Sequence, residues 1–125
     1  MRYMMFIKCS EDYRKETVPA RLMDAMGEFI NASMKRGELI DTAGLLPSKN
    51  GRRVALRNGR VTVTDGPFTE TKELIGGYAL VEAGSDAEAL SFARRFMELH
   101  REHWPEFAGE CEVRPLEVFE PPPNA

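Results

Sequence analysis

The sequence predicts a single α+β domain in which an antiparallel sheet is covered on one face by two helices. Three observations predict this class: two stretches have helical periodicity, several short apolar or alternating strands surround them, and an Asn-Gly pair separates two of those strands. A length of 125 residues suits one hydrophobic core and not two. We expect the domain to span 1–120, with 121–125 as a disordered tail.

The first half of the chain predicts a strand, a helix and an extended segment. The apolar run 2–9 (RYMMFIKC) is the first strand. A helix over 18–36 follows, because apolar residues recur at spacings of three and four: Leu22, Met26, Phe29 and Ile30. Thr17 offers an N-cap, Pro19 is tolerated in the first turn, and Gly37 suits the left-handed residue that closes the helix. Residues 38–46 are expected to be extended up to Pro47.

The second half predicts a hairpin, a strand, a helix and a last strand. Asn58-Gly59 between alternating apolar runs predicts antiparallel strands over 52–57 and 60–64. The next strand, 74–82 (LIGGYALVE), contains Gly76-Gly77, which indicates either close approach of another backbone or a bulge. Ser85 and Glu88 form a capping box before a helix over 86–101, and 111–119 is the last strand.

This order of elements is typical of the ferredoxin-like, split βαβ sandwich, here with an inserted β-hairpin. Two helices cover only one face of such a sheet, yet the first strand is apolar on both sides, with Tyr3 and Met5 on one and Met4 and Phe6 on the other. We therefore expect a homodimer that packs sheet against sheet. The alternative is that the hairpin folds over its own sheet. The first and last strands should be antiparallel neighbours, with Cys9 near Cys111.

Bulk properties exclude several classes of protein. A net charge of −3 and a pI near 5.5 argue against a nucleic-acid binder, since such proteins carry a basic surplus. No apolar run approaches the roughly 20 residues of a membrane helix, and the N-terminus does not resemble a signal peptide, so we expect a cytoplasmic protein. The two cysteines fit no metal spacing and are predicted to be free thiols. We predict no metal and no cofactor.

The segment 65–73 (DGPFTETKE) is the most informative part of the chain. Asp65, Gly66 and Pro67 form a constrained turn directly after an alternating strand. Asp65 is either a general base or ligand-orienting carboxylate, or a turn-former whose oxygens are occupied by backbone N–H groups. Phe68 is a core anchor or a stacking platform. The charged residues that follow either line a pocket rim or are simply solvated: Glu70, Lys72 and Glu73.

His100 lies on the apolar stripe of the second predicted helix. It is either a core or interface residue or a catalytic group. His103 follows three residues later, but no third ligand is evident for a metal. The chain has no Gly-rich phosphate loop and no nucleophile with an attached base.

DGPFTETKE, within RVTVTDGPFTETKELIGGYALVE, resembles the signature of the DGPF branch of the YCII-related family. The opening MRYMMFIKCSED and the later LHREHWPEFAGECEVRP extend the likeness over nearly the whole chain. The resemblance implies a dimeric α+β barrel, whose clefts hold small aromatic or lactone-like substrates. Family members use a histidine–acid pair near the first helix, but Arg21 stands at the histidine position and Lys35-Arg36 at the acidic one. Arginine stays protonated, so that proton-transfer role does not carry over, although Arg21 would suit an anionic ligand.

Two functions follow. The first is binding or transforming a small organic molecule in a cleft of a homodimer near Asp65–Glu73. Its candidate catalytic residues are Asp65 and His100, and its candidate ligand-binding residues are Arg21, Phe68, Glu70, Lys72 and Glu73. The alternative, implied by the resemblance, is a non-catalytic interaction module associated with extracytoplasmic-function sigma factors. Whether the protein is an enzyme is left open by the sequence.

Overall fold

The computed structural model describes residues 1–10, 18–68, 73–119 and 121. Its elements follow the predicted order, and a short 3-10 turn at Ser48–Asn50 precedes the hairpin. The strands and helices are β1 Arg2–Cys9, α1 Ala20–Lys35, β2 Leu39–Gly44, β3 Arg52–Arg57, β4 Arg60–Asp65, β5 Leu74–Glu82, α2 Asp86–His103 and β6 Glu110–Pro115.

The main sheet has four strands in the order β2-β5-β1-β6, and all neighbouring strands are antiparallel. This is the ferredoxin-like order, so the predicted fold is confirmed. Both helices pack on one face of the sheet, where Tyr3, Met5 and Val81 are almost fully buried. The rest of the buried core cluster consists of Leu39, Ala83, Ala89, Phe92 and Ala93.

The first and last strands are neighbours, as expected. Ile7 lies opposite Cys111 in the register of β1 and β6, so Cys9 lies two residues beyond the partner of Cys111. The two cysteines form no disulfide with each other. β6 ends at Pro115 instead of residue 119, because Pro115 pairs with Tyr3 and the Leu116 N–H donates to Arg2 O at the very start of β1. Arg2 is the first residue of β1, so the pairing ends with that strand.

The ends of the two helices can be compared with the capping residues that the sequence predicts. Pro19 is the N-cap of α1 and makes no side-chain cap bond, while the predicted cap Thr17 lies outside the described residues. Gly37 closes the helix with φ of 75°, as predicted. At α2, Ser85 Oγ accepts the Glu88 N–H at 3.2 Å, and Glu88 in return accepts from Gly84 N at 2.8 Å. The predicted capping box is present, with its return bond shifted by one residue.

The hairpin β3–β4 is a separate two-stranded sheet. Its turn residues Asn58 and Gly59 have φ of 52° and 75°, which is the left-handed pair that an Asn-Gly hairpin turn requires. One side of the hairpin carries four apolar residues that are 64–72% exposed: Val54, Leu56, Val61 and Val63. We call these four residues the hairpin apolar face. Because this face is largely exposed, the hairpin does not fold over its own sheet, and that alternative is wrong.

Both predictions for Gly76-Gly77 are confirmed. Ile7 pairs with Gly77 whereas Lys8 pairs with Ile75, so Gly76 is the extra residue of a bulge. A Cβ atom at Gly77 would lie 3.0 Å from Ala43 O, so β2 and β5 approach closely there. Neither described helix is long and apolar enough to cross a membrane.

Candidate functional site

A cavity of about 280 Å³ lies between the helix layer and the sheet. Met26, Phe29 and Ile30 of α1 and Phe92, Phe96 and His100 of α2 form its helical side. The strands provide the opposite side, which is largely apolar and partly bare backbone: Met5, Ile7, Leu39, Thr42, Ala43, Gly44, Gly76, Gly77, Tyr78, Ala79 and Cys111. An apolar pocket with few polar groups is the usual form of a small-molecule site.

His100 is the polar residue that the helices contribute to this cavity, and only 4% of it is exposed. Its ring lies between Phe96 and Phe107, with centroid distances of 4.9 and 4.7 Å. Nδ1 lies 3.1 Å from the carbonyl oxygen of Phe96. Since a carbonyl only accepts hydrogen bonds, Nδ1 carries the proton and the neutral ring has its lone pair on Nε2.

Nε2 of His100 has no hydrogen-bond partner among the described residues. It is not sealed away from solvent either, because no fully buried side-chain nitrogen or oxygen in the described part of the chain lacks a partner. Burial lowers the pKa of His100 from its ordinary value of 6.5, and the bond to Phe96 O offsets this in part. The ring is therefore neutral at physiological pH, and its unpaired Nε2 is an acceptor, or a proton-accepting base, on a residue that lines the cavity.

Cys111 lines the same cavity on the sheet side. Burial raises the pKa of its thiol to about 11. Because the thiolate is the reactive form of cysteine, Cys111 is not suited to nucleophilic chemistry near neutral pH. It contributes a small, uncharged, polarisable wall to the cavity.

We expect the stability of the folded protein to fall as the pH drops below 6.5, in part because of His100. The pKa of His100 is lower in the folded chain than in the unfolded one, so the unfolded state binds the proton more readily. The pKa of Glu112 is lowered from 4.5, chiefly by its hydrogen bond to Lys8, so its titration lies below this interval. Urea unfolding at about pH 7.5 and about pH 5.5 should show a smaller acid loss for His100→Phe than for the wild type.

His103→Gln is the matched control for this experiment, since His103 lies on the same helix but is only half-buried. It should keep the wild-type loss of stability between the two pH values. An equal acid loss in the His100→Phe variant and the wild type would show that His100 is not titrating from a buried, neutral state.

The motif that dominates the sequence lies at the base of the hairpin. Asp65 ends β4, its side chain is 79% exposed, and its carboxylate accepts from Arg52 Nε at 3.0 Å. The Gly66 N–H donates to Gly51 O at 2.9 Å, and the Phe68 N–H donates to Ser48 Oγ at 3.0 Å. These bonds attach the turn to the 3-10 segment in front of β3.

Among the described residues of the motif, Phe68 is the buried one, with 8% of its surface exposed. The Arg53 guanidinium lies 3.8 Å from the centre of its ring. Phe68 also lines a second cavity between the 3-10 segment and β5, which shares Gly44 and Gly76 with the first cavity. Asp65 is not among the described residues that line either cavity.

The remaining predicted site residues do not gather at one place. Arg21 is exposed, and its Nε donates to the backbone oxygen of His103 at 2.8 Å, which connects the start of α1 to the end of α2. Glu73 is exposed beside the start of β5. Glu70 and Lys72 lie outside the described residues. In the described ranges, no three His, Cys, Asp or Glu side chains are close enough together to hold a metal ion.

Comparison with known proteins places the chain in a family. A family model for the YCII-related domain matches residues 1–104, so the protein belongs to the YCII-related family. It is also similar to a protein of Rhizobium meliloti (strain 1021) that is described only as uncharacterized protein R00369. The two are 33% identical over 101 residues, which cover 81% of this chain and 77% of that protein.

Sequence reasoning identified His100 but missed the cavity that surrounds it. Thr42, Ala79 and Cys111 line the same space from three different strands. The alternation within each strand assigns these residues to faces, but only the pairing of distant strands brings them together. The bulge at Gly76 was the available signal, because bulges are common beside functional sites.

Proposed function

We propose that this YCII-related protein binds or transforms a small organic molecule in the cavity between its helices and its sheet, with His100 as the central polar group. The observation that carries the proposal is a largely buried histidine whose Nε2 is unpaired and which lines an apolar cavity of about 280 Å³. The proposal places the protein in the DGPF branch of the family and in the cytoplasm.

His100 suits this role better than Asp65 does. A neutral imidazole in an apolar cavity accepts a hydrogen bond or a proton from a ligand at physiological pH. Asp65 is exposed and already paired with Arg52, so its carboxylate is available to solvent more than to an enclosed ligand. Asp65 therefore supports the hairpin base in this proposal, and the cavity supplies the chemistry.

A thermal-shift screen of small uncharged metabolites tests the proposal. A ligand at 100 times its Kd stabilises the folded state by about 2.7 kcal/mol. Ala79 lines the cavity whereas its neighbour Leu80 does not, and successive strand residues point to opposite faces. Ala79→Leu should abolish every shift, and Leu80→Met on the other face should preserve them. Asp65→Asn is expected to leave the shifts unchanged.

Two results would count against this site. Shifts that survive Ala79→Leu would place the ligand elsewhere on the molecule. Shifts that disappear in Asp65→Asn but survive in Ala79→Leu would show that the ligand binds at the 65–73 segment instead.

The proposal includes a homodimer in which the free faces of two sheets pack together. Phe6 lies on the face opposite the helices, next to Tyr78 and Glu112 in register, and is only half-buried. We expect the wild type to sediment at twice the chain mass of 14.1 kDa. Phe6→Lys should weaken the dimer about 30-fold or more, because the lysine charge would lose its hydration in the interface at a cost of about 2 kcal/mol.

Leu90→Lys is the control for the dimer, since Leu90 is an equally apolar residue that is 53% exposed on α2. Sedimentation of this variant should match the wild type. A wild-type protein that remains at 14.1 kDa at high micromolar concentration would refute the dimer.

A second candidate function is favoured by the hairpin apolar face. Exposed contiguous apolar surface is typical of protein-interaction sites, and this face belongs to a sheet separate from the main one. The family resemblance implies an extracytoplasmic-function sigma factor as partner. Titration of a purified sigma factor of this class tests it, with Leu56→Lys on the hairpin apolar face as the variant that should lose binding. Equal binding by Leu56→Lys and the wild type would exclude this face.

A further inference from the structure

We propose that the cavity selects an uncharged, largely apolar molecule that presents one hydroxyl or N–H group, which donates a hydrogen bond to Nε2 of His100. This inference rests on the proposed function and adds the chemical class of the ligand. It depends on the charge, the hydrogen-bond balance and the size of the cavity.

Charge comes first. Among the described residues that line the cavity, none is an Asp, Glu, Lys or Arg. The three lining residues that titrate are neutral: burial lowers the pKa of His100 and raises that of the Cys111 thiol to about 11, and the hydrogen bond to Asp41 raises the pKa of Tyr78. An ionised ligand would lose its hydration without meeting an opposite charge, which costs far more than an uncharged ligand would.

The hydrogen-bond balance then favours a donor on the ligand. The Thr42 hydroxyl donates to the backbone oxygen of Tyr78 at 2.8 Å, while the Tyr78 side chain lies with Phe6 on the opposite face of the sheet, where its hydroxyl donates to Asp41 Oδ2 at 2.8 Å. Their protons are therefore already engaged, and the Cys111 S–H is only a weak donor. Nε2 of His100 is an acceptor without a partner. A ligand that donates completes this set, whereas one that only accepts leaves Nε2 unpaired.

Size and shape favour a compact ring. A volume of about 280 Å³ is at the small end for ligand pockets. The helical wall presents Phe29, Phe92 and Phe96. The ring centroid of Phe29 lies 5.1 Å from that of Phe92 and 6.0 Å from that of Phe96. Such a wall makes favourable contacts with a flat ring.

Three bicyclic probes of nearly equal size separate these factors. Indole is uncharged and has an N–H donor, benzofuran has the same shape without the donor, and indole-2-carboxylate adds a negative charge. In calorimetric titrations we expect indole to bind the wild type about tenfold more tightly than benzofuran, which is the upper range for one neutral hydrogen bond. Indole-2-carboxylate should bind more weakly than both.

His100→Phe is the diagnostic variant, because an aromatic ring preserves the packing between Phe96 and Phe107. In this variant indole and benzofuran should bind about equally tightly. The affinity for benzofuran should differ from that of the wild type by less than about threefold. His103→Phe should keep the wild-type preference. A second readout needs no mutation: in the wild type, the 15N resonance of His100 Nε2 should shift on adding indole while Nδ1 stays protonated.

The outcomes separate the two proposals. Equal affinity for indole and benzofuran in the wild type, or tighter binding of indole-2-carboxylate, would overturn the ligand class while the cavity stands as a binding site. Failure of all three probes to bind would refute the ligand class and would also count against the cavity as the functional site.

Discussion

Gly66→Ala is expected to destabilise the folded protein by more than about 3 kcal/mol, or to detach the hairpin from the rest of the chain. A Cβ atom at this position would lie 1.8 Å from the backbone oxygen of Ser48 and 2.7 Å from its carbonyl carbon. Both atoms belong to the main chain, so no side-chain rotation relieves the overlap. The turn must move away from the 3-10 segment, and the bond from Gly66 N to Gly51 O is lost with it.

Urea unfolding followed by circular dichroism measures the effect, and hydrogen exchange over β3 and β4 shows whether the hairpin opens first. Gly27→Ala is the matched control, because nothing lies within 4 Å of a Cβ atom at this exposed position within α1. Alanine there should increase the stability by about 0.5–1 kcal/mol, as expected for a helix interior. A Gly66→Ala variant with wild-type stability would disprove the close packing at the base of the hairpin.

Phe92→Ala has the second largest expected effect, a loss of about 3–5 kcal/mol in the free energy of unfolding. Phe92 is 3% exposed, belongs to the core cluster with Tyr3 and Val81, and contacts Phe29. It also lines the cavity. Removing the ring would enlarge an existing space that its neighbours do not fill, so we expect the upper part of this range.

Leu90→Ala serves as the control for Phe92, since it removes an apolar side chain of the same helix that is 53% exposed. Its loss should stay within about 0.5 kcal/mol. Chemical denaturation of both variants provides the measurement. A loss below about 1.5 kcal/mol for Phe92→Ala would mean that the helix layer collapses into the cavity, and the cavity would then not be a stable site.

The fold was predictable because local and long-range signals agree along this chain. The Asn58-Gly59 turn, the Gly37 helix end and the Ser85 cap each have the predicted local geometry. The order of the elements then leaves few topologies for the sheet. The main errors occurred where a partner strand decides the boundary, as in β6, whose pairing stops where β1 begins.

The candidate site was less predictable. The 65–73 segment combines a constrained turn with charged residues, which is the pattern of a functional loop as well as of a packed one. In the structure, Gly66 and Phe68 are held against the 3-10 segment and Asp65 is held by Arg52. The composition of the 65–73 segment shows that the turn is constrained, but it does not show which part of the backbone the turn packs against. The unpaired Nε2 of His100 depends on a bond from Nδ1 to a carbonyl four residues earlier, and periodicity contains no information on that choice.

The strand side of the cavity includes Gly44, Gly76 and Gly77, and it therefore differs in kind from the helix side. Peptide backbone has no rotamers to change, so we expect the glycine part of this side to set a fixed limit on the thickness of a bound molecule. Met26 on the opposite side has a flexible, polarisable side chain that adapts its shape. For the ligand proposed above, we therefore expect the glycine backbone to limit its thickness and the Met26 side chain to adjust to its outline.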